Sequence, residues 1–114
     1  MTSDRTAERL TLAIEHLQNA VEYSRRGREA FMDAGNPDTR RLIEGELRKA
    51  FESLSRQGDP FLHANPTLDR GWIGEVRQLL THDYAEIDPG VLWRLVNEDA
   101  PRLLRKLVRA KVPT

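Results

Sequence analysis

Leu10, Ile14, Leu17 and Val21 fall three to four residues apart, with Ala13 and Ala20 beside them, and this spacing recurs along the chain. The two-residue alternation of a half-buried strand occurs nowhere. A chain patterned this way buries its apolar groups as helix stripes, so the first expectation is an all-α fold. The first helix is read from Arg5 to about Gly27. The charged run Arg25, Arg26, Arg28, Glu29 extends that reading to Phe31 and Met32, where Gly35-Asn36-Pro37 stops it, and the run itself reads as solvated surface.

A second helix is expected to open with Asn36 as N-cap and Pro37 at the first helical position. Its apolar stripe is Leu42, Ile43, Leu47, Ala50, Phe51 and Leu54, and it ends near Gln57. Gly58-Asp59-Pro60 and Asn65-Pro66 bracket Phe61, Leu62 and His63, a segment that reads as a loop packed on the rest, too short and proline-bound for a regular element. The third helix runs from about Asp69 to Thr81, with Trp72, Ile73, Val76, Leu79 and Leu80 inward and Arg70, Glu75 and Gln78 outward. Asp88-Pro89 then starts a fourth helix carrying Val91, Leu92, Leu95 and Val96. Asp99-Ala100-Pro101 predicts a kink or restart before Leu103, Leu104, Leu107 and Val108. Short connections favour antiparallel neighbours, giving an antiparallel bundle of four to five helices.

A length of 114 residues suits one domain spanning 1–114, large enough to fold without staples. Cysteine is absent, which removes disulfides and thiol chemistry and fits a reducing compartment. No apolar run approaches the roughly 20 residues of a membrane helix, and MTSDRTAERL is too charged for a signal peptide, so a soluble cytoplasmic protein is expected. Lys+Arg and Asp+Glu both total 18, so phosphate binding would need a local basic patch, such as one made by oligomerisation. His16, on the polar side of the first helix, and His63 have no clustered ligand partners, so they read as structural or solvated, and no metal or cofactor is expected. Trp72 and Trp93 read as core or interface anchors.

The stretch RQLLTHDY, residues 77–84, gathers Arg77, His82 and Tyr84 around the end of the third helix. On a regular helix residues five apart differ by about 140° in direction. Arg77 and His82 would therefore converge only if the helix loosened near Thr81, or across a dimer seam. His82 near a helix C-terminus feels the negative end of the macrodipole, which favours the protonated imidazole. Arginine clamps phosphate oxygens, and histidine can take a proton from a hydroxyl and return one to a leaving oxygen. RNA brings its own nucleophile, the 2′-hydroxyl. Such a pair suffices for phosphodiester transesterification without a metal or a carboxylate cluster. The same residues also read as a C-capping histidine, a surface ion pair and packing, and the residues alone leave both readings open.

Arg77, His82 and Tyr84, followed by IDPGVLWRLVNEDAPRLLRKL, resemble the HepT-like branch of the HEPN superfamily. There the motif precedes an Asp-Pro-started helix with a Val-Trp pair and an Asn-Asp-Leu-Pro segment. Ile87, Asp88, Pro89, Val91, Trp93, Asn97, Asp99 and Pro101 fit that tail, with Glu98 inserted and Ala100 in place of Leu. The likeness is good from about Asp69 to Leu107 and is only one of helical pattern before that.

The resemblance implies a homodimeric HEPN-like helical bundle acting as a metal-independent endoribonuclease, the toxin of a toxin–antitoxin pair, with its site at the dimer interface and RNA as substrate. It implies that Arg77 and His82 are catalytic, Arg77 holding the scissile phosphate and His82 acting as acid or base. Tyr84 would be the modification site, where a minimal nucleotidyltransferase antitoxin of the MntA type attaches AMP and blocks the cleft with a bulky anion. Gln78 stands where the family usually has Asn, so Gln78, with Asp83, is expected to support the site and not to react. The alternative is a non-catalytic nucleotide- or substrate-binding subunit of a nucleotidyltransferase.

Overall fold

The computed structural model describes residues 2–82 and 86–113, with side chains from Arg5 onward. Its elements are α1 (Thr2–Ser24), α2 (Arg28–Met32), α3 (Asp38–Ser55), α4 (Asp59–Ala64), α5 (Arg70–Leu80), α6 (Pro89–Arg94), a π-helical turn (Leu95–Asp99) and α7 (Ala100–Leu107). No strand occurs among the described residues. The four long rods expected are α1, α3, α5 and the continuous α6–α7 rod, and α2 and α4 are short additions. Helix α3 lies in the middle, packed on α1 along one side and on α5 along the other, while α7 returns against α1. The result is an elongated body of 48 × 23 × 22 Å.

The core follows the stripes. Leu17, Ile43, Leu47, Phe51, Leu92 and Val96 are fully buried, each such side chain contributing about 1.5–3 kcal/mol relative to exposure. Polar bonds fasten α1 to α3 beside that core: Ser53 Oγ donates to Arg9 O at 2.8 Å, Arg9 Nη1 donates to Arg56 O at 2.8 Å, and Gln57 Nε2 donates to Thr6 O at 3.0 Å. His16 is part of the same seam, its Nδ1 2.6 Å from Glu46 Oε2. Three residues of the expected stripes lie outside the core: Leu42, Val91 and Val108 are 39%, 42% and 58% exposed, because the stripe on each helix is narrower than its apolar content.

Four local expectations change. The first helix ends at Ser24, since Gly27 adopts φ 98°, a left-handed conformation open to glycine without strain, and the chain turns into a separate α2. That turn carries Phe31 into the core, where its ring lies 5.2 Å from that of Trp93. The second helix starts one residue later than expected, at Asp38, with Pro37 in the cap position; Asn36 still accepts from Asp38 N, at 3.3 Å.

Residues 59–64 form α4 where a loop was expected. Pro60 sits in the first turn, where a missing N–H costs nothing and its fixed φ already suits a helix. Phe61 is 1% exposed, so the segment does pack on the bundle. Finally, the chain passes Asp99-Ala100-Pro101 through a π turn, after which α7 begins at Ala100. Proline removes the donor that would bond four residues back, and the helix absorbs this by widening, with Ala100 N donating five residues back to Leu95 O.

Candidate functional site

Helix α5 carries the motif, and its start is set locally. The Asp69 carboxylate accepts from Trp72 N at 3.0 Å, satisfying one of the free donors of the first turn. Ile73, Val76 and Leu80 then bury one face, and the Trp72 ring meets Phe51 edge-on at 5.6 Å. Arg77 and Gln78 consequently point away from the core and are exposed.

The carboxyl end of α5 tightens where loosening was one route to convergence. Thr81 N donates to Gln78 O at 3.2 Å and His82 N to Leu79 O at 3.3 Å, both three residues back, and Thr81 Oγ1 also donates to Gln78 O at 2.6 Å. A tighter turn does not bring residues 77 and 82 onto one stripe. No hydrogen bond joins Arg77 to His82, and the Arg77 guanidinium makes no hydrogen bond or ion pair among the described residues. The side-chain amide of Gln78 likewise makes no hydrogen bond there, so within one chain it orients neither partner. Asp83 and Tyr84 lie outside the described residues.

Two residues that the motif does not contain complete the surroundings. Arg48, on α3, donates through Nε to Leu80 O at 2.8 Å and through Nη2 to His82 O at 3.2 Å, and the same guanidinium pairs with Glu44 one turn earlier. A helix leaves its last carbonyls without partners, and here a cation from another helix takes two of them. The Glu44 side chain is only 7% exposed, so the carboxylate holds Arg48 in a partly dry setting. The i,i+4 pair is visible in the sequence, whereas its target more than thirty residues away is not.

The second is Glu86, whose Oε2 lies 3.3 Å from His82 Nδ1 with both side chains largely open to water. A carboxylate on that side favours the proton at Nδ1 and leaves Nε2 as the free nitrogen, the arrangement a proton acceptor needs. The end of α5 thus offers an imidazole whose backbone carbonyl accepts from Arg48 and whose ring is largely open to water, with the exposed Arg77 guanidinium five residues earlier.

The family model for Ribonuclease HepT-like proteins matches residues 12–110 of this chain. The chain belongs to that family. Comparison with curated proteins and comparison with solved structures give no match. The family match takes in α3, α5 and the π turn together, so Arg48 and Glu86 lie within it, as do Arg77 and His82.

Proposed function

We propose that this HepT-like protein is a metal-independent endoribonuclease toxin, acting in the cytoplasm as a homodimer of single-domain chains and restrained by an MntA-like nucleotidyltransferase. The observation that carries the reading is that His82 is held through its backbone carbonyl while its ring, paired with Glu86, and the Arg77 side chain both stay exposed and are not joined to each other. A site left in two parts within one chain is what a composite cleft between two copies would need. Arg77 of one or both copies would hold the scissile phosphate, and His82 Nε2 of one copy would take the proton of the 2′-hydroxyl as it attacks phosphorus; the bond from phosphorus to the 5′-oxygen breaks, that oxygen takes a proton from the protonated His82 of the other copy, and a 2′,3′-cyclic phosphate end is left. AMP transferred to Tyr84, two residues from His82, would put an anion where the RNA phosphate belongs.

The test is cleavage of RNA by the purified dimer in excess EDTA. His82→Ala is expected to lower the rate about 10²- to 10⁴-fold, with cyclic phosphate ends from the wild-type protein alone. Equal cleavage by both proteins would overturn the assignment. Gln78, in place of the usual Asn and without a side-chain partner, favours a second reading, a nucleotide-binding subunit that does no chemistry. Calorimetric titration with AMP and ATP, with and without the transferase, separates the two, since a pure subunit binds nucleotide and leaves RNA intact.

A further inference from the structure

A chain with no net charge grips RNA only where its cations outnumber its acids locally, and the segment after Asp99 is such a place. After Asp99 the sequence holds no further acid, yet it carries Arg102, Arg105, Lys106, Arg109 and Lys111. At about 100° per residue, Arg102, Arg105, Lys106 and Arg109 share one face of α7 and its exit, spread along about 10 Å. All of them are exposed, and none forms a salt bridge among the described residues.

The stripe rests on a rigid floor. Asn65 Nδ2 donates to Phe61 O at 2.9 Å and to Lys111 O at 2.8 Å, and Lys111 N donates back to Asn65 Oδ1 at 2.8 Å, so the segment leaving α7 is pinned to the end of α4. Lys106 Nζ adds a bond to Thr67 O at 3.1 Å. Together they border an open cleft. This cleft shares Arg102 and Lys106 with a second one along the start of α5, which in turn shares Trp72 and Asp99 with a third that reaches Leu79 and Arg94. Through these shared residues the three clefts lie in series from the basic stripe along α5, a helix about 16 Å long, to Leu79, within one turn of His82.

We propose that the α7 stripe is the anchoring surface for a single-stranded RNA backbone, which then follows these clefts past Trp72 to the motif; the inference rests on the ribonuclease reading above. Single-stranded substrate fits because one row of cations meets one row of phosphates, and the aromatic side chain of Trp72 lines the path that unpaired bases would follow. Asp69 and Asp99 line the second cleft and Glu75 and Asp99 the third, so the phosphate grip lies at the α7 end, and the rest of the path faces bases and sugar hydroxyls. An anionic membrane fits less well. A membrane-bound helix inserts its apolar face, and Leu103 and Leu107 of α7 are already buried in the core.

The experiment uses the full chain with His82→Ala to silence cleavage and a fluorescent single-stranded RNA of mixed sequence, titrated at several salt concentrations. Four phosphate contacts on a single strand give a slope of log K against log salt of about −3. The further substitutions Arg102→Gln, Lys106→Gln and Arg109→Gln together are expected to flatten it by about 2, at about 0.7 per contact, and to weaken binding at least tenfold near 0.1 M salt. Arg25→Gln with Arg28→Gln, two exposed cations elsewhere, is the control and keeps both slope and affinity. Circular dichroism of each variant shows that the fold is kept.

An unchanged slope in the stripe variant, or an equal loss in both, overturns the anchoring surface. So does loss of binding to phosphatidylserine vesicles with RNA binding intact. The two readings fail separately: RNA cleavage that needs His82 but ignores the stripe removes only this inference, whereas stripe-dependent binding without any cleavage by the wild-type protein removes only the ribonuclease.

Discussion

The two ends of α5 are finished by different means. At the amino end Asp69, the residue directly before the helix, turns its own carboxylate onto Trp72 N. At the carboxyl end the free carbonyls of Leu80 and His82 are met by Arg48, which belongs to α3. The first device is local and serves the helix alone. The second is remote and also fixes the histidine of the motif, because the carbonyl it holds is that of His82 itself. An end finished from another helix keeps its position only while the two helices stay packed, so the candidate site takes its geometry from the α3–α5 contact and not from α5 alone.

Of the two devices, removing the remote one should have the larger effect. Arg48→Ala frees two carbonyls and leaves the buried Glu44 carboxylate without its guanidinium, an expected loss of about 2–3 kcal/mol, seen as a fall in Tm on the order of 10 °C. Hydrogen exchange at the Thr81 and His82 amides should quicken with it. Arg48→Lys keeps the charge for Glu44 but lacks the planar fork that reaches three acceptors, so stability should recover more than RNA cleavage does. Leu47→Ala is the comparison, a core deletion expected to cost about 2–5 kcal/mol with no polar link to His82. If, at a temperature where all are folded, Leu47→Ala slowed cleavage as much as Arg48→Ala, the positioning role of Arg48 would be lost.

The same contrast explains what could be read in the sequence. Asp88 was legible as a helix start because a cap and its helix are neighbours, and α5 began within one residue of its expected start. The stripes of α1, α3 and α5 were legible because periodicity is a property of a single segment. Arg77 and His82 were legible as a motif, but the turn that closes after Leu80, and the Arg48 bonds to Leu80 O and His82 O across it, were not. The helix α4 was hidden because Pro60 was weighed as a breaker when its first-turn position made it a starter. The π turn was hidden because Pro101 signals a missing hydrogen bond without saying whether the chain breaks or widens. The basic stripe could have been found by counting charge along the chain, since every acid precedes Ala100.

The local device should cost less when removed. Asp69→Ala deletes a single acceptor at an exposed cap, so about 1 kcal/mol and roughly 5 °C in Tm are expected. The exchange of the Trp72 amide should rise while that of His82 stays as it was. A rise at both would mean that α5 responds as one unit, and the contrast between its ends would then be one of wiring and not of energy.

Gln78 gives the smallest expected effect on folding and the sharpest question about the site. Its side chain is exposed and unbonded in the described chain, and it contributes only its backbone oxygen, which accepts from Thr81. Gln78→Ala should therefore shift stability by no more than about 0.5 kcal/mol, as surface substitutions away from special features do. Any loss of cleavage by this variant at unchanged Tm has to come from a group absent in the single chain, either RNA or the facing copy. Loss that is restored by Gln78→Asn, the residue usual in the family, would place the side-chain amide among the groups that orient the reacting phosphate, since the shorter amide presents the same donor and acceptor. Retention of full activity by Gln78→Ala would assign the orientation of His82 to Arg48 and Glu86 alone, and the carboxyl end of α5 would then be wired entirely from outside the helix.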